Sequence, residues 1–232
     1  MSQPPVYPSS PYGAFPPASQ PPARRAGRSP FRSGLMFAAV YVIAIWSVHI
    51  VNILLFGGQL VYFGIHPLDV SSLWHIFTSP LLHANMEHLL SNTVPGAIFS
   101  FLIGMPRARV WWEVTAIVVV LGGLGVWLLG GVGTNHIGAS GLVYGWLGYL
   151  LVRGVFNRSI AQLLLGVVLG ITYSGLIWGV LPGVPGVSWQ AHLFGAVGGA
   201  AAGIFITSDD PPQLRARRQQ KKLGRGGALP GR

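Results

Sequence analysis

A serine, two histidines and an asparagine stand where an apolar chain has little ordinary use for them. Ser140 lies between glycines in "NHIGASGLVY", at the mouth of an apolar run, and Tyr144 follows one helical turn later. A buried hydroxyl requires a hydrogen-bond partner. His192, in "WQAHLFGAVGGAAAG", can serve: a neutral imidazole that meets Ser140 takes its proton, and general-base activation turns the hydroxyl into a nucleophile. Acyl transfer also needs donors for an oxyanion, and His88, Asn92 and the backbone N–H of Ser140 are the available set. Tyr144 points to the same side of its helix as Ser140, where it can stack on or orient the imidazole. Asp69, Glu87 and Glu113 are the only acids between the tails and none is well placed to complete a triad, so the simpler chemistry is a Ser140/His192 dyad.

Each of these residues also has a plainer use. His88 and Asn92 stand at i and i+4, a spacing that serves hydrogen bonding between helices as well as donation to one common point. Gly141, Gly145 and Gly148 in one segment, and Gly195, Gly199 and Gly203 in another, form small-residue ridges, and close packing in lipid accounts for them unaided. Packing leaves unexplained why Ser140 and His192 each sit near the outer end of such a ridge. Metal-dependent hydrolysis lacks its ligands: HExxH does not occur, His83, Glu87 and His88 do not supply an i, i+4 histidine pair, and there is no cysteine. No metal and no cofactor are expected. A transporter fits poorly, because the ionisable groups gather near one face and no internal repeat occurs.

The elements that must position these residues are helices in lipid. With 51% hydrophobic and only 9% charged residues, the chain reads as an all-α polytopic membrane protein. Apolar segments at 34–57, 87–104, 110–130, 140–153, 159–181 and 188–207 predict six transmembrane helices, so a membrane domain spans residues 34–207. The fourth is short, which predicts that it starts below the membrane surface under cover of its neighbours. Residues 1–33, rich in Pro and Ser, are expected to be a disordered cytoplasmic arm, and 208–232 a basic, disordered cytoplasmic tail. Basic residues fall in the tails, at Arg107 and Arg109 between helices two and three, and at Arg153 and Arg158 between four and five, while the other loops have none. That alternation predicts cytoplasmic termini and a Ser140 end facing outward, at the plasma membrane. It also assigns the net charge of +10 to topology and lipid contact, with no nucleic-acid partner. The first loop, about 58–86, mixes aromatic residues with few charges and is expected to lie in the interface. The sequence carries no signal of oligomeric state.

Taken together these motifs resemble the rhomboid intramembrane serine proteases, through roughly residues 60–205. Gly138-Ala139-Ser140-Gly141 with Tyr144 is similar to the family's serine motif. "TSPLLH" ending at His83, followed by His88 and Asn92, is similar to its histidine and asparagine motif, and "AHLFGAVGG" with His192, Gly195 and Gly199 to its sixth-helix motif. The resemblance implies a six-helix bundle with Ser140 as nucleophile, His192 as general base, His88 and Asn92 as oxyanion donors and Tyr144 packed on His192. It further implies that His83 is structural, that Gly138 makes room at the substrate site, and that substrates are membrane-anchored proteins of a bacterial cell, cut in or near their transmembrane helix. The Trp-Arg pair of many relatives' first loop is absent, as are the arginine after the proline of "GIHPLD" and the glutamate after helix two. Water for hydrolysis is expected to reach Ser140 from outside, with the first loop and helix five as lateral gates.

Overall fold

The computed structural model describes residues 29–226, a helical bundle in which α1 (Pro30–Phe56), α2 (Met86–Gly104), α3 (Ala108–Leu129), α4 (Ser140–Asn157), α5 (Ile160–Thr172) and α6 (Trp189–Phe205) are followed by a further helix, α7 (Pro212–Gly226). All six expected helices are present. The first begins at Pro30, before the expected residue 34, because Ser29 accepts from the Arg32 amide and proline suits the first helical position. Residues 1–28 of the expected arm lie outside the described residues.

Helices α1 and α3 are long and apolar enough to cross a membrane, and α5 together with the 3₁₀ helix Ser174–Val180, bent from it by 69°, has the length and composition of a broken span or a re-entrant loop. The helices α2, α4 and α6, at 19, 18 and 17 residues, are shorter or more polar and rely on their neighbours. Apolar character all round α1 is the pattern of a helix with lipid on one side and protein on the other. Phe37, Tyr41, Ile45, His49 and Asn52 are buried, whereas Ile43, Leu54 and Leu55 are exposed. Against that buried stripe lies α2: the Tyr41 hydroxyl donates to the Asn92 carbonyl at 3.0 Å and Trp46 Nε1 donates to Thr93 Oγ1 at 3.1 Å.

The central helix is α4, buried along most of its length, and its most extensive partner is α6. Glycines explain how close the two run. A Cβ on Gly195 would collide with the backbone of Gly141, one on Gly199 with that of Gly145, and one on Gly148 with that of Ala196. The two ridges read from the sequence therefore mate, and their backbones meet with no side chain between them.

The first loop is folded into 3₁₀ helices at Gln59–Phe63, Val70–Ile76 and Ser79–Leu81. Leu68 N donates to Trp127 O and Trp127 Nε1 to Asp69 O, both at 2.9 Å, which ties the loop to the end of α3. Ile65 and His136 pair through two backbone hydrogen bonds of 2.9 Å, so the loop is also fastened to the segment that leads into α4.

Two expectations at the other end are corrected. Residues 212–226 are helical where a disordered tail was expected, because Arg, Gln, Lys, Ala and Leu are good helix formers and Pro212 opens the first turn. Arg153 is not a loop charge: it belongs to α4, is 2% exposed, and its guanidinium donates to Gly203 O at 2.9 Å and pairs with Asp209 and with Asp210. Buried acid partners replace the water that a loop arginine would need.

Candidate active site

Ser140 is the first residue of α4, so its amide and the next two have no acceptor within the helix. The turn that leads into it is held from the first loop: Gly138 N donates to Ser79 O at 2.9 Å, and Ala139 N donates to His83 Nε2 at 3.4 Å. Gly138 has a φ of +118°, open to glycine and strained for other residues, and a Cβ there would stand 2.6 Å from His88 Cε1. The His88 imidazole thus lies on the peptide two residues before Ser140. Its other neighbour is His83, ring centroids 5.1 Å apart. His83 is 1% exposed and structural in its contacts. Burial, then proximity to His88, pulls its imidazole down from 6.5 to about 4, so it remains the neutral acceptor that Ala139 N requires.

Asn92 is buried one turn below His88 and uses its side-chain amide to donate to the His88 carbonyl at 2.8 Å. An amide nitrogen carries two hydrogens, so one N–H of Asn92 is left for another acceptor.

His192 lies in the first turn of α6, which Ser188 caps by accepting from Ala191 N. Its ring is parallel to that of Tyr144, centroids 4.1 Å apart and planes within 8°. The Tyr144 hydroxyl donates to Leu176 O at 2.7 Å, and His192 Nδ1 is 2.8 Å from Gly179 O. A carbonyl can only accept, so Nδ1 carries the proton and Nε2 presents the lone pair. The neighbours of His192 on α6 touch the residue after Ser140: a Cβ on Gly141 would sit 3.3 Å from Ala191 O, and Gly195 packs on the Gly141 backbone. The structure thereby brings the first turns of α4 and α6 together.

Two parts of this arrangement escaped the sequence reading. One is the Gly179 carbonyl, in the bent continuation of α5, which accepts from His192 Nδ1; a backbone oxygen has no residue type to announce it. The other is His136, 6% exposed, whose Nδ1 is 2.6 Å from Ser188 Oγ and whose Nε2 is 2.7 Å from Thr134 Oγ1. It fastens the approach to α4 to the cap of α6. Its place in "NHIGASG", four residues before Ser140, was the available signal. A cavity of about 40 Å³ opens beside these residues, walled by Ser79, His136, Gly138, Gly141, Ala191 and apolar residues of α3. Its wall is shared between α3 and the first loop, through Ile65, Ile76, Ser79 and Pro80.

Residues 70–209 match the family model of the rhomboid domain. The chain belongs to the rhomboid family. That is a family of intramembrane proteases, and the rhomboid bundle described here is a multi-pass membrane protein. It is 41% identical over 179 residues to a Mycobacterium tuberculosis protein, covering 74% of this chain and 73% of that one, and 39% identical over 169 residues to a Mycobacterium leprae protein, covering 69% and 65%. The names of both leave their function open. It is also 30% identical over 131 residues to YdcA of Bacillus subtilis, named as a candidate rhomboid protease, covering 54% of this chain and 63% of that one.

Proposed function

We propose that this rhomboid is an active serine endopeptidase that cuts membrane-anchored proteins in or near their transmembrane segment, with Ser140 as nucleophile and His192 as general base. The observation that carries the reading is the clamp on His192. Stacked on Tyr144 and bonded through Nδ1 to the Gly179 carbonyl, the ring keeps one tautomer and one orientation, with Nε2 as the base.

The Ser140 hydroxyl attacks the substrate carbonyl carbon as its proton passes to His192 Nε2. Charge builds on the carbonyl oxygen, and the donors offered to it are the Ser140 amide at the open end of α4, the His88 ring and the spare N–H of Asn92. The carbon–nitrogen bond breaks, the departing amine takes the proton from His192, and the acyl group remains on Ser140. Water, activated in turn by His192, releases the acid and restores the hydroxyl. The cavity beside Gly138 and Gly141 has room for a water molecule, with the Ser79 hydroxyl at its wall to bond one. The basic residues support an orientation with both termini in the cytoplasm and this site toward the outer face.

Co-expression of a tagged single-span substrate with wild type, Ser140→Ala and His192→Ala tests the proposal. The wild type yields a cleaved fragment, and each variant loses it by at least about 10³-fold while still inserting in the membrane. Equal fragment in all three removes the roles assigned to Ser140 and His192. Substrate co-purification without cleavage by any of them makes the chain a non-catalytic binder of transmembrane helices.

A further inference from the structure

The end of the bundle opposite Ser140 carries a concentration of positive charge that catalysis does not use. The start of α1, the α2–α3 and α4–α5 connections and the end of α6 meet there. Ser33 Oγ donates to Gly104 O at 2.8 Å, Ser208 Oγ donates to Glu113 Oε2, and Asn157 Nδ2 donates to Asp209 Oδ2 at 3.3 Å. Arg32, Arg107, Arg109 and Arg158 are exposed at this end. Glu113, which pairs with Arg109, is the acid set among them, since Asp209 and Asp210 are buried against Arg153.

Helix α7 adds six basic residues and no acid to the same end. It is held there. Arg218 Nε lies 2.8 Å from Asp210 Oδ2, Arg215 Nε donates to Asp210 O at 2.6 Å, and Asp210 Oδ1 accepts from Arg153 of α4 at 2.8 Å. These contacts tie the first two turns of α7 to Asp210, and through Asp210 to Arg153 of α4. Arg217 and Lys221 are exposed on it, and Leu223 is 76% exposed.

We infer that α7 and the arginines around it form a docking surface for anionic phospholipid headgroups, with α7 lying along the membrane face. Charge complementarity and position both favour that occupant: a basic helix tethered at headgroup depth meets acidic lipid before any soluble polyanion. Asp210 sets the height of the helix by bonding Arg215 and Arg218, which leaves Arg217 and Lys221 free to meet phosphate.

The chain has no cysteine, so Leu223→Cys accepts a single environment-sensitive fluorophore on the full-length protein. The labelled protein is placed in nanodiscs of phosphatidylcholine, or of phosphatidylcholine mixed with phosphatidylglycerol, and probed with a water-soluble neutral quencher. The expected result is a blue shift and a several-fold fall in quenching in the phosphatidylglycerol discs, reversed by high salt and abolished by Arg217→Gln with Lys221→Gln. Equal quenching in the two lipids, or a response unchanged by the glutamine substitutions, overturns the inference. So does a shift driven by a soluble RNA oligonucleotide in phosphatidylcholine discs with none from phosphatidylglycerol, which makes nucleic acid the partner. The readout is independent of whether Ser140 acts as a nucleophile.

Discussion

Gly138 does two things at once: its φ of +118° turns the chain into α4, and its missing side chain admits the His88 ring. Gly138→Ala therefore loses on both counts, through a strained φ and a methyl pressed into an imidazole. The expected outcome is a stability loss of about 1–3 kcal/mol, seen as a lower thermal midpoint, with a larger proportional loss of substrate cleavage as His88 is displaced. His83 gives this turn a pH dependence. Its imidazole is held at about 4, below the ordinary 6.5, and the titratable side chains facing it are His88 and His49. The unfolded chain then takes up the proton first, so the contribution of His83 is complete above about 6.5 and is lost as pH falls towards about 4. Protonation also converts the acceptor for Ala139 N into a donor. Burial lowers His136 in the same direction. Thermal midpoints measured from neutral pH down to about 4 should fall on the acid side, and His83→Gln, an acceptor that does not titrate, should make that fall shallower.

Among the elements, the relation between α4 and α6 decides whether Ser140 and His192 can cooperate, and two devices set it. The glycine seam fixes how near the helices run. The His136–Ser188 contact at 2.6 Å fixes their ends, because Ser188 both caps α6 and meets the segment that leads into α4. Ser188→Ala removes the cap and the contact together, and should cost about 0.5–2 kcal/mol in a denaturation experiment. His136→Ala leaves the cap intact but strands the Ser188 hydroxyl proton, at a cost of about 1–3 kcal/mol. Single-turnover cleavage should fall in both variants, while the His192 tautomer, set by Gly179, stays as it is. Equal activity in wild type and both variants would show that the seam alone holds the helices in register.

Across the whole molecule, the end that carries Ser140, His192 and His88 and the end that carries the arginines are joined by that seam. The charged end turns on Arg153, whose removal strands two buried carboxylates. Arg153→Met should destabilise the protein by about 3–5 kcal/mol, and combining it with Asp209→Asn and Asp210→Asn should recover most of the loss, as read from thermal unfolding in detergent. Much of this architecture was legible beforehand, for a physical reason: in lipid, hydropathy and helical period are local properties, so six apolar segments, two glycine ridges and the start of α4 at Ser140 could be read from neighbouring residues alone. The family motifs were legible for the same reason, since each is short and sits within one element. Long-range relations were not. Arg153 looked like a loop charge because its acid partners lie 56 and 57 residues away, and the tail looked disordered because Asp210, which holds α7, belongs to that same cluster. Residue types and spacing by themselves determined the membrane bundle and the candidate serine, histidines and asparagine, because those depend on composition and periodicity. Only the tertiary structure decided which nitrogen of His192 carries the proton, and that the charged tail is held to the bundle, because a backbone carbonyl and a buried ion cluster act through positions that no local pattern records.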